Sequence, residues 1–196
     1  LALNTAAVST VNNLTLNANN GAIKTEAGAA QGVQSTVGNI SVNAATGLNN
    51  AGVISAKAGG VTARVSGGVS NSGTLYAKGN LDVADKNNGQ ASNFSNTGTV
   101  LADGSAVLKA NTLNNTGSLQ GSAGTTITAN SLVNDGLLVT SSLPSGSGNI
   151  TATTLSNNGT LQSAQNLSVT TNGALQNTGL IFSQGGQTLN AAAGLQ

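Results

Sequence analysis

The sequence predicts an all-β fold, a parallel β-helix (solenoid) wound about 20 residues to the coil with three short strands in each coil. Three observations carry the parallel solenoid. First, the pattern apolar-x-Asn-x-Gly recurs seven times, at Leu48 to Gly52, Val69 to Gly73, Phe94 to Gly98, Leu113 to Gly117, Leu132 to Gly136, Leu155 to Gly159 and Leu175 to Gly179. Successive glycines are 21, 25, 19, 19, 23 and 20 residues apart. A unit that short cannot bury its own apolar face, so neighbouring units must stack. Second, aliphatic residues fall into three stripes when the units are aligned. Third, short runs alternate apolar and polar, and no window shows the i, i+3, i+4, i+7 spacing of a helix.

Taken in chain order, residues 1–47 are less regular. Leu14-Thr-Leu16 reads as a strand of the second stripe, and Asn19-Asn20-Gly21 with Ile23 as a copy of the motif. Ile40-Ser-Val42 then leads to Leu48. The 31 residues from Gly21 to Gly52 exceed one coil by about ten, so a looped-out insertion is expected within 25–38.

Residues 48–196 hold the seven regular repeats. In the unit at Leu155, Leu155 to Ser163 alternates inward and outward, Ala164-Gln165-Asn166 is a polar break, and Leu167-Ser-Val169 alternates again. The first stripe, after each glycine, is Ile54, Leu75, Val100, Leu119, Leu138, Leu161 and Ile181. A second stripe is Val61, Leu81, Leu108, Ile127, Ile150, Leu167 and Leu189, each with Ala or Val two residues later. The third is the motif's own first residue: Leu48, Val69, Phe94, Leu113, Leu132, Leu155 and Leu175. Three inward stripes imply a triangular section. At about 4.8 Å per rung, roughly nine to ten coils make a rod on the order of 45 Å long. Smaller insertions are expected at Asp85 to Gln90 and around Ser142 to Ser147, which contains Pro144.

Each motif Asn lies two residues after an inward position and so also points inward: Asn50, Asn71, Asn96, Asn115, Asn134, Asn157 and Asn177. Buried amides need partners, and stacked identical amides supply them as a ladder, rung to rung. The turn glycines Gly52, Gly73, Gly98, Gly117, Gly136, Gly159 and Gly179 are expected to take a positive φ at a sharp corner.

Composition narrows the function. The chain has 196 residues, 27 of them Gly, with 6% charged residues, a net charge of +1 and no Cys, Met, Trp or His. Such a polar, small-residue composition would suggest disorder, but the apolar 38% is periodic. Nucleic-acid binding lacks its basic patch, since Lys24, Lys57, Arg64, Lys78, Lys86 and Lys109 are scattered among Glu26, Asp82, Asp85, Asp103 and Asp135. No apolar run reaches the roughly 18 to 20 residues that span a bilayer. Leu1 opens into repeat-like sequence without a signal peptide, so the chain reads as a single β-helix segment, 1–196, excised from a longer protein. The absence of cysteine fits a secreted bacterial protein without proving one.

The residues expected to carry chemistry are few. Without His or Cys there is no catalytic triad, no Cys nucleophile and no ordinary zinc site. Asp82 and Asp85 are the only acids close together, too few for the six to eight oxygens around Ca²⁺, and read as a solvated turn pair. Lys57, Lys78 and Asp103 share one alignment position and are expected to pair on the surface. Gly146-Ser-Gly148 and Gly67-Gly68 lack the Lys-Ser/Thr of a phosphate loop. Asn-x-Ser/Thr recurs as this composition dictates. Outward apolar residues Val53, Tyr76, Leu101, Leu137, Val139, Leu180 and Phe182 remain, and Val53, Tyr76 and Leu101 form a candidate contact patch. No catalytic residue, cofactor site or metal site is assigned.

The repeated pattern, Leu-x-Asn-x-Gly-x-Leu-x-Ala/Ser, a turn, then Asn/Gly-x-Leu-x-Val/Ala, is cleanest at Leu113 to Ala129 and Leu155 to Val169. It resembles the haemagglutinin repeat of filamentous haemagglutinin and of contact-dependent growth-inhibition exoproteins. The resemblance covers Leu48 to Gln196 strongly and Leu1 to Gly47 weakly. It implies the right-handed winding, the shaft of a very large exoprotein, and export by two-partner secretion through an outer-membrane β-barrel transporter. It carries no active site. The resulting expectation is a non-enzymatic shaft, secreted or at the bacterial cell surface, holding an adhesive or toxic tip. A rival is that the segment itself binds a host-cell or neighbouring-cell receptor or glycan. A polysaccharide-degrading β-helix is disfavoured by the charge count, and an ice-binding solenoid by the lack of a flat threonine array.

Overall fold

A computed structural model describes residues 1–3, 7–27 and 32–196. Among these, every regular element is a strand, and each strand pairs in parallel with its equivalent one coil away. The result is a parallel β-solenoid. A coil crosses three faces. The first face is a nine-stranded ladder running from Val8–Thr10 and Val33–Ser35 to Thr160–Ser163 and Leu180–Ser183. The second runs from Leu14–Ala18 to Gln187–Ala191, and the third from Ala2–Leu3 to Leu175–Asn177.

Second and third faces belong to one 15-stranded sheet, because three coils join the two strands into one of ten residues: Ala106–Asn115, Thr125–Asn134 and Gly148–Asn157. There the corner is only two residues wide, as at Asn111 and Thr112, and the ladder passes through it. Elsewhere, as between Val65 and Val69, glycines widen the corner and split the strands.

The interior is columnar. Along the first face Val33, Ile54, Leu75, Val100, Leu119, Leu138 and Leu161 are buried and lie over one another in register. Along the third face, Ile23, Leu48, Val69, Phe94, Leu113, Leu132, Leu155 and Leu175 do the same. All belong to one apolar cluster that runs through the coil stack.

The second face departs from its expected register. Leu81 pairs with Ala106 and Val83 with Leu108, while Ile150 pairs with Val169 and Val169 with Leu189. Sequence alignment placed Leu108 against Leu81 and Ile150 against Leu167, two residues out. A slip of two keeps every side chain on its own side of a strand, so alternation cannot detect it. Volume explains the observed choice. Where the large aliphatic moves to the second inward position (Leu108, Ile127, Ile150), the first holds Ala106, Thr125 and Gly148. At Gly148, the buried Thr140 side chain occupies the space a Cβ would need. Thr140 is the extra residue of an irregularity in the first-face strand between Val139 and Ser141.

Near the N-terminus, Ile23 pairs with Leu48 and Thr25 with Asn50. Ile23 is therefore the first residue of a motif copy, not the residue after its glycine, and Thr25 stands in the Asn place. Within the expected insertion at 25–38, Val33–Ser35 is a first-face strand paired with Ile54, Ser55 and Ala56. Gly28 to Gln31 lie outside the described residues. The chain takes eight positions from Thr25 to Val33 where the next coil takes four, from Asn50 to Ile54.

Asp85 to Gln90 leaves the ladder as a tight loop. Asp85 Oδ1 accepts from the Asn87 and Gly89 amides at 2.8 and 2.6 Å, and Asn88 takes φ 61°.

Candidate functional site

The most repeated arrangement is the corner between the third and first faces. Strand alternation turns each motif Asn inward two residues after its Leu, and Asn50, Asn71, Asn96, Asn115, Asn134 and Asn157 are all buried. Each amide nitrogen donates to the Oδ1 of the next: Asn50 to Asn71 at 2.6 Å, then Asn96, Asn115 and Asn134 at 2.8 Å each, then Asn157 and Asn177 at 2.7 Å. The second proton of the same nitrogen goes to a backbone carbonyl of the next coil, as from Asn96 to Ser118 at 3.0 Å and from Asn115 to Leu137 at 3.0 Å. Every amide thus points the same way along the rod. At the N-terminal side Thr25 closes the column, its hydroxyl donating to Asn50 Oδ1.

The Asn backbone is equally engaged. The Asn96 carbonyl accepts from both Thr116 and Gly117 of the next coil, at 2.9 and 3.1 Å, and Asn115 likewise from Asp135 and Gly136.

The motif glycines form their own column, for a reason other than the one expected. Among described glycines only Gly32, Gly124 and Gly194 have a positive φ, so Gly52, Gly73, Gly98, Gly117, Gly136, Gly159 and Gly179 are not left-handed turns. Proximity makes them glycine. A Cβ on Gly98 would fall far inside contact distance of the Gly73 carbonyl oxygen, and Gly117, Gly136, Gly159 and Gly179 meet the preceding glycine in the same way. The corners stack backbone on backbone, where only glycine permits so close an approach.

A further, interrupted set of corner asparagines escaped the sequence reading. Asn13, Asn39, Asn80 and Asn166 each precede the first inward aliphatic of a second-face strand, and their Oδ1 atoms accept from the next coil's backbone at 2.7 to 3.0 Å. The recurring Asn-Leu or Asn-Ile dipeptide was its signal.

Outside, the candidate patch is only partly assembled. Tyr76 lies directly beside Leu101, but Val53 pairs with Thr74, two positions along from Tyr76. Tyr76 donates to Asp103 Oδ2 at 2.9 Å, and Lys78 forms an ion pair with the same oxygen at 2.8 Å; Lys57 joins neither. The Lys78 hydrogen bond holds the Asp103 carboxyl below its usual range against the opposing effect of desolvation, and the Tyr76 hydrogen bond lowers it further. Lys78 is raised, chiefly by its hydrogen bond to Asp103. Tyr76 is raised first by desolvation and then by its bond to Asp103. Leu137, Leu180 and Phe182 are exposed, whereas Val139 is 5% exposed beside Ser142 in a cleft.

The two acids considered for a cation have separate work: Asp82 pairs with Arg64, and Asp85 caps its own loop. Among the described residues no group of three or more His, Cys, Asp or Glu is placed to hold a metal ion. On the second face, Thr128, Thr151 and Thr170 align, but the neighbouring column mixes Thr126, Asn149, Ser168 and Thr188.

The haemagglutinin repeat family model matches residues 35–90, 86–142 and 145–196, most of the chain. The chain belongs to the haemagglutinin repeat family. Each matched stretch holds more than one coil, so the family unit is a small stack whose corners are the Asn and Gly columns. No curated protein and no solved structure matches the chain.

Proposed function

We propose that this haemagglutinin repeat segment is a length of non-enzymatic shaft in a large secreted bacterial exoprotein, holding an adhesive or toxic tip away from the cell surface. The observation that carries the reading is the unidirectional Asn column, which ties seven successive corners together without a break. A rod held by identical rungs transmits position and supplies length. Two-partner export through an outer-membrane transporter suits this chain, since a sequence without cysteine and with 6% charged residues threads a pore unfolded and can then add coils one on another. Small-angle scattering tests the shaft directly. Removing one whole coil, residues 118–136, should leave a folded rod shorter by about 4.8 Å. A collapsed or unfolded product would overturn the reading.

A second reading has one observation in its favour, the Tyr76–Leu101 pair beside the Lys78–Asp103 ion pair. Here the segment itself is adhesive, toward a host receptor or glycan. Tyr76→Ser should then reduce binding of the pure chain to cells; unchanged binding leaves the shaft alone.

A further inference from the structure

Asn is followed by Gly at four places, Asn20, Asn88, Asn158 and Asn172. Glycine has no Cβ to crowd its nitrogen, so in such a pair that nitrogen closes a five-membered ring on the preceding side-chain carbon more readily than elsewhere. The fold treats the four pairs differently. The Gly21, Gly159 and Gly173 nitrogens donate to backbone carbonyls, of Ala18 at 3.3 Å, Asn134 at 2.9 Å and Thr153 at 2.7 Å. The Gly89 nitrogen donates instead to a carboxylate, Asp85 Oδ1, at 2.6 Å. A carbonyl only holds that proton, whereas a carboxylate within hydrogen-bond reach is a general base for it.

The side chain of Asn88 meets a charge as well. Lys109, one coil further along, donates from Nζ to Asn88 Oδ1 and to the Asn88 carbonyl, each at 3.2 Å. At Asn158, by contrast, the amide oxygen accepts from the neutral Thr178 hydroxyl. Asn88 is exposed, and among the described residues it is the one non-glycine with a positive φ. Two successive coils thus bring a base to the nitrogen and a cation to the oxygen of the same Asn-Gly pair.

We propose that this loop is a self-modification site at which Asn88 is deamidated. Asp85 takes the Gly89 amide proton as that nitrogen bonds to Asn88 Cγ. The negative charge that develops on Oδ1 lies against the Lys109 ammonium. The Cγ–Nδ2 bond then breaks, the proton held by Asp85 passes to the departing nitrogen, and ammonia leaves a cyclic imide. Water is the co-reactant: it adds at either imide carbonyl and opens the ring to aspartate or isoaspartate. In the aspartate product a carboxylate stands beside Lys109 where an amide stood, so an ion pair joins the loop to the next coil. The site goes beyond the shaft reading and does not depend on it.

The test is peptide mapping by mass spectrometry after incubation of the chain in H₂¹⁸O at neutral pH, since ring opening in that water labels each site that reacts before digestion. Label at Asn88 should accumulate at least about tenfold faster than at Asn20, Asn158 or Asn172. In urea, where the fold is lost and the sequence kept, Asn88 should slow to the rate of the other three. Asp85→Asn keeps an acceptor for the loop amides but removes the base, and Lys109→Met removes the cation; each should slow conversion about tenfold. Circular dichroism checks that the variants keep their strands, and the urea comparison needs no variant at all. Conversion of Asn88 as fast in urea as in the folded chain would show that the fold does not promote it. That result overturns the proposal, as would equal rates at all four pairs or an undiminished rate in Asp85→Asn. A lasting loss of ammonia without ¹⁸O, with Lys109 closed to trypsin, would mean that Lys109 itself attacks Cγ, and this too overturns it.

Discussion

Asn115 accepts a hydrogen bond from Asn96 at 2.8 Å and gives one to Asn134 at 2.8 Å, so one side chain satisfies buried partners on both adjacent coils. Its remaining amide proton goes to the Leu137 carbonyl. Replacing it therefore strands groups on two coils besides its own.

Asn115→Ala leaves an Asn96 proton, Asn134 Oδ1 and the Leu137 carbonyl without their bonds. At about 1 to 3 kcal/mol for each of these three buried polar groups left unpaired, the loss should reach at least about 3 kcal/mol. Urea unfolding followed by circular dichroism measures it; a change below about 0.5 kcal/mol would mean that the column adds nothing to the apolar stripes.

Asn115→Asp separates charge from shape. The new carboxylate still accepts from Asn96 but has no proton for Asn134 Oδ1, and burial disfavours its charge. Its folded pKa is then raised above the unfolded value. The sign follows: the variant is least impaired below the unfolded carboxylate range and loses stability as pH rises through the folded pKa. Unfolding midpoints measured from pH 3 to 8 should fall progressively below those of the parent chain as pH rises.

These corners were legible in the sequence because Asn and Gly mark one position each, and the spacing of the seven copies matches their observed pairing. The second stripe was not, because Leu81, Val83, Ala106 and Leu108 are all inward and alternation cannot choose between registers two apart. Thr25 hid its corner by replacing Asn with another donor.

Gly98→Ala tests the reason assigned to the glycine column. The added Cβ meets the Gly73 carbonyl, rigid backbone on both sides, and the coils must move apart. Overpacking of this kind costs about 1 to 3 kcal/mol. Gly21→Ala is the control, with no atom within 4 Å of its Cβ, and should be within about 0.5 kcal/mol of the parent. Equal effects at both positions would return the explanation to backbone flexibility.

Leu119 is fully buried in the first-face column between Val100 and Leu138. Leu119→Ala should cost about 2 to 5 kcal/mol, since coils above and below it are held by their own ladders and cannot collapse into the gap. Leu180, 52% exposed on the outer side of the same nine-stranded ladder, should tolerate Ala with a change under about 1 kcal/mol. Similar losses at both would contradict the inward and outward assignment.

The Lys78–Asp103 pair gives the rod a weak pH dependence of its own. Asp103 is lowered, chiefly by its hydrogen bond from Lys78, so its contribution is present above the unfolded carboxylate pKa and is lost as pH falls through the folded value. Lys78 is raised, so its share is present below the unfolded ammonium pKa and disappears as pH rises through the folded one. The pair acts between those limits. Asp103→Asn should remove the acid-side decline relative to the parent, and added salt should shrink the difference because the groups lie at the surface. If parent and Asp103→Asn unfold in parallel from pH 2 to 7, Tyr76 and Lys78 draw no stability from that carboxylate, and the Tyr76–Leu101 surface is held by the ladder alone.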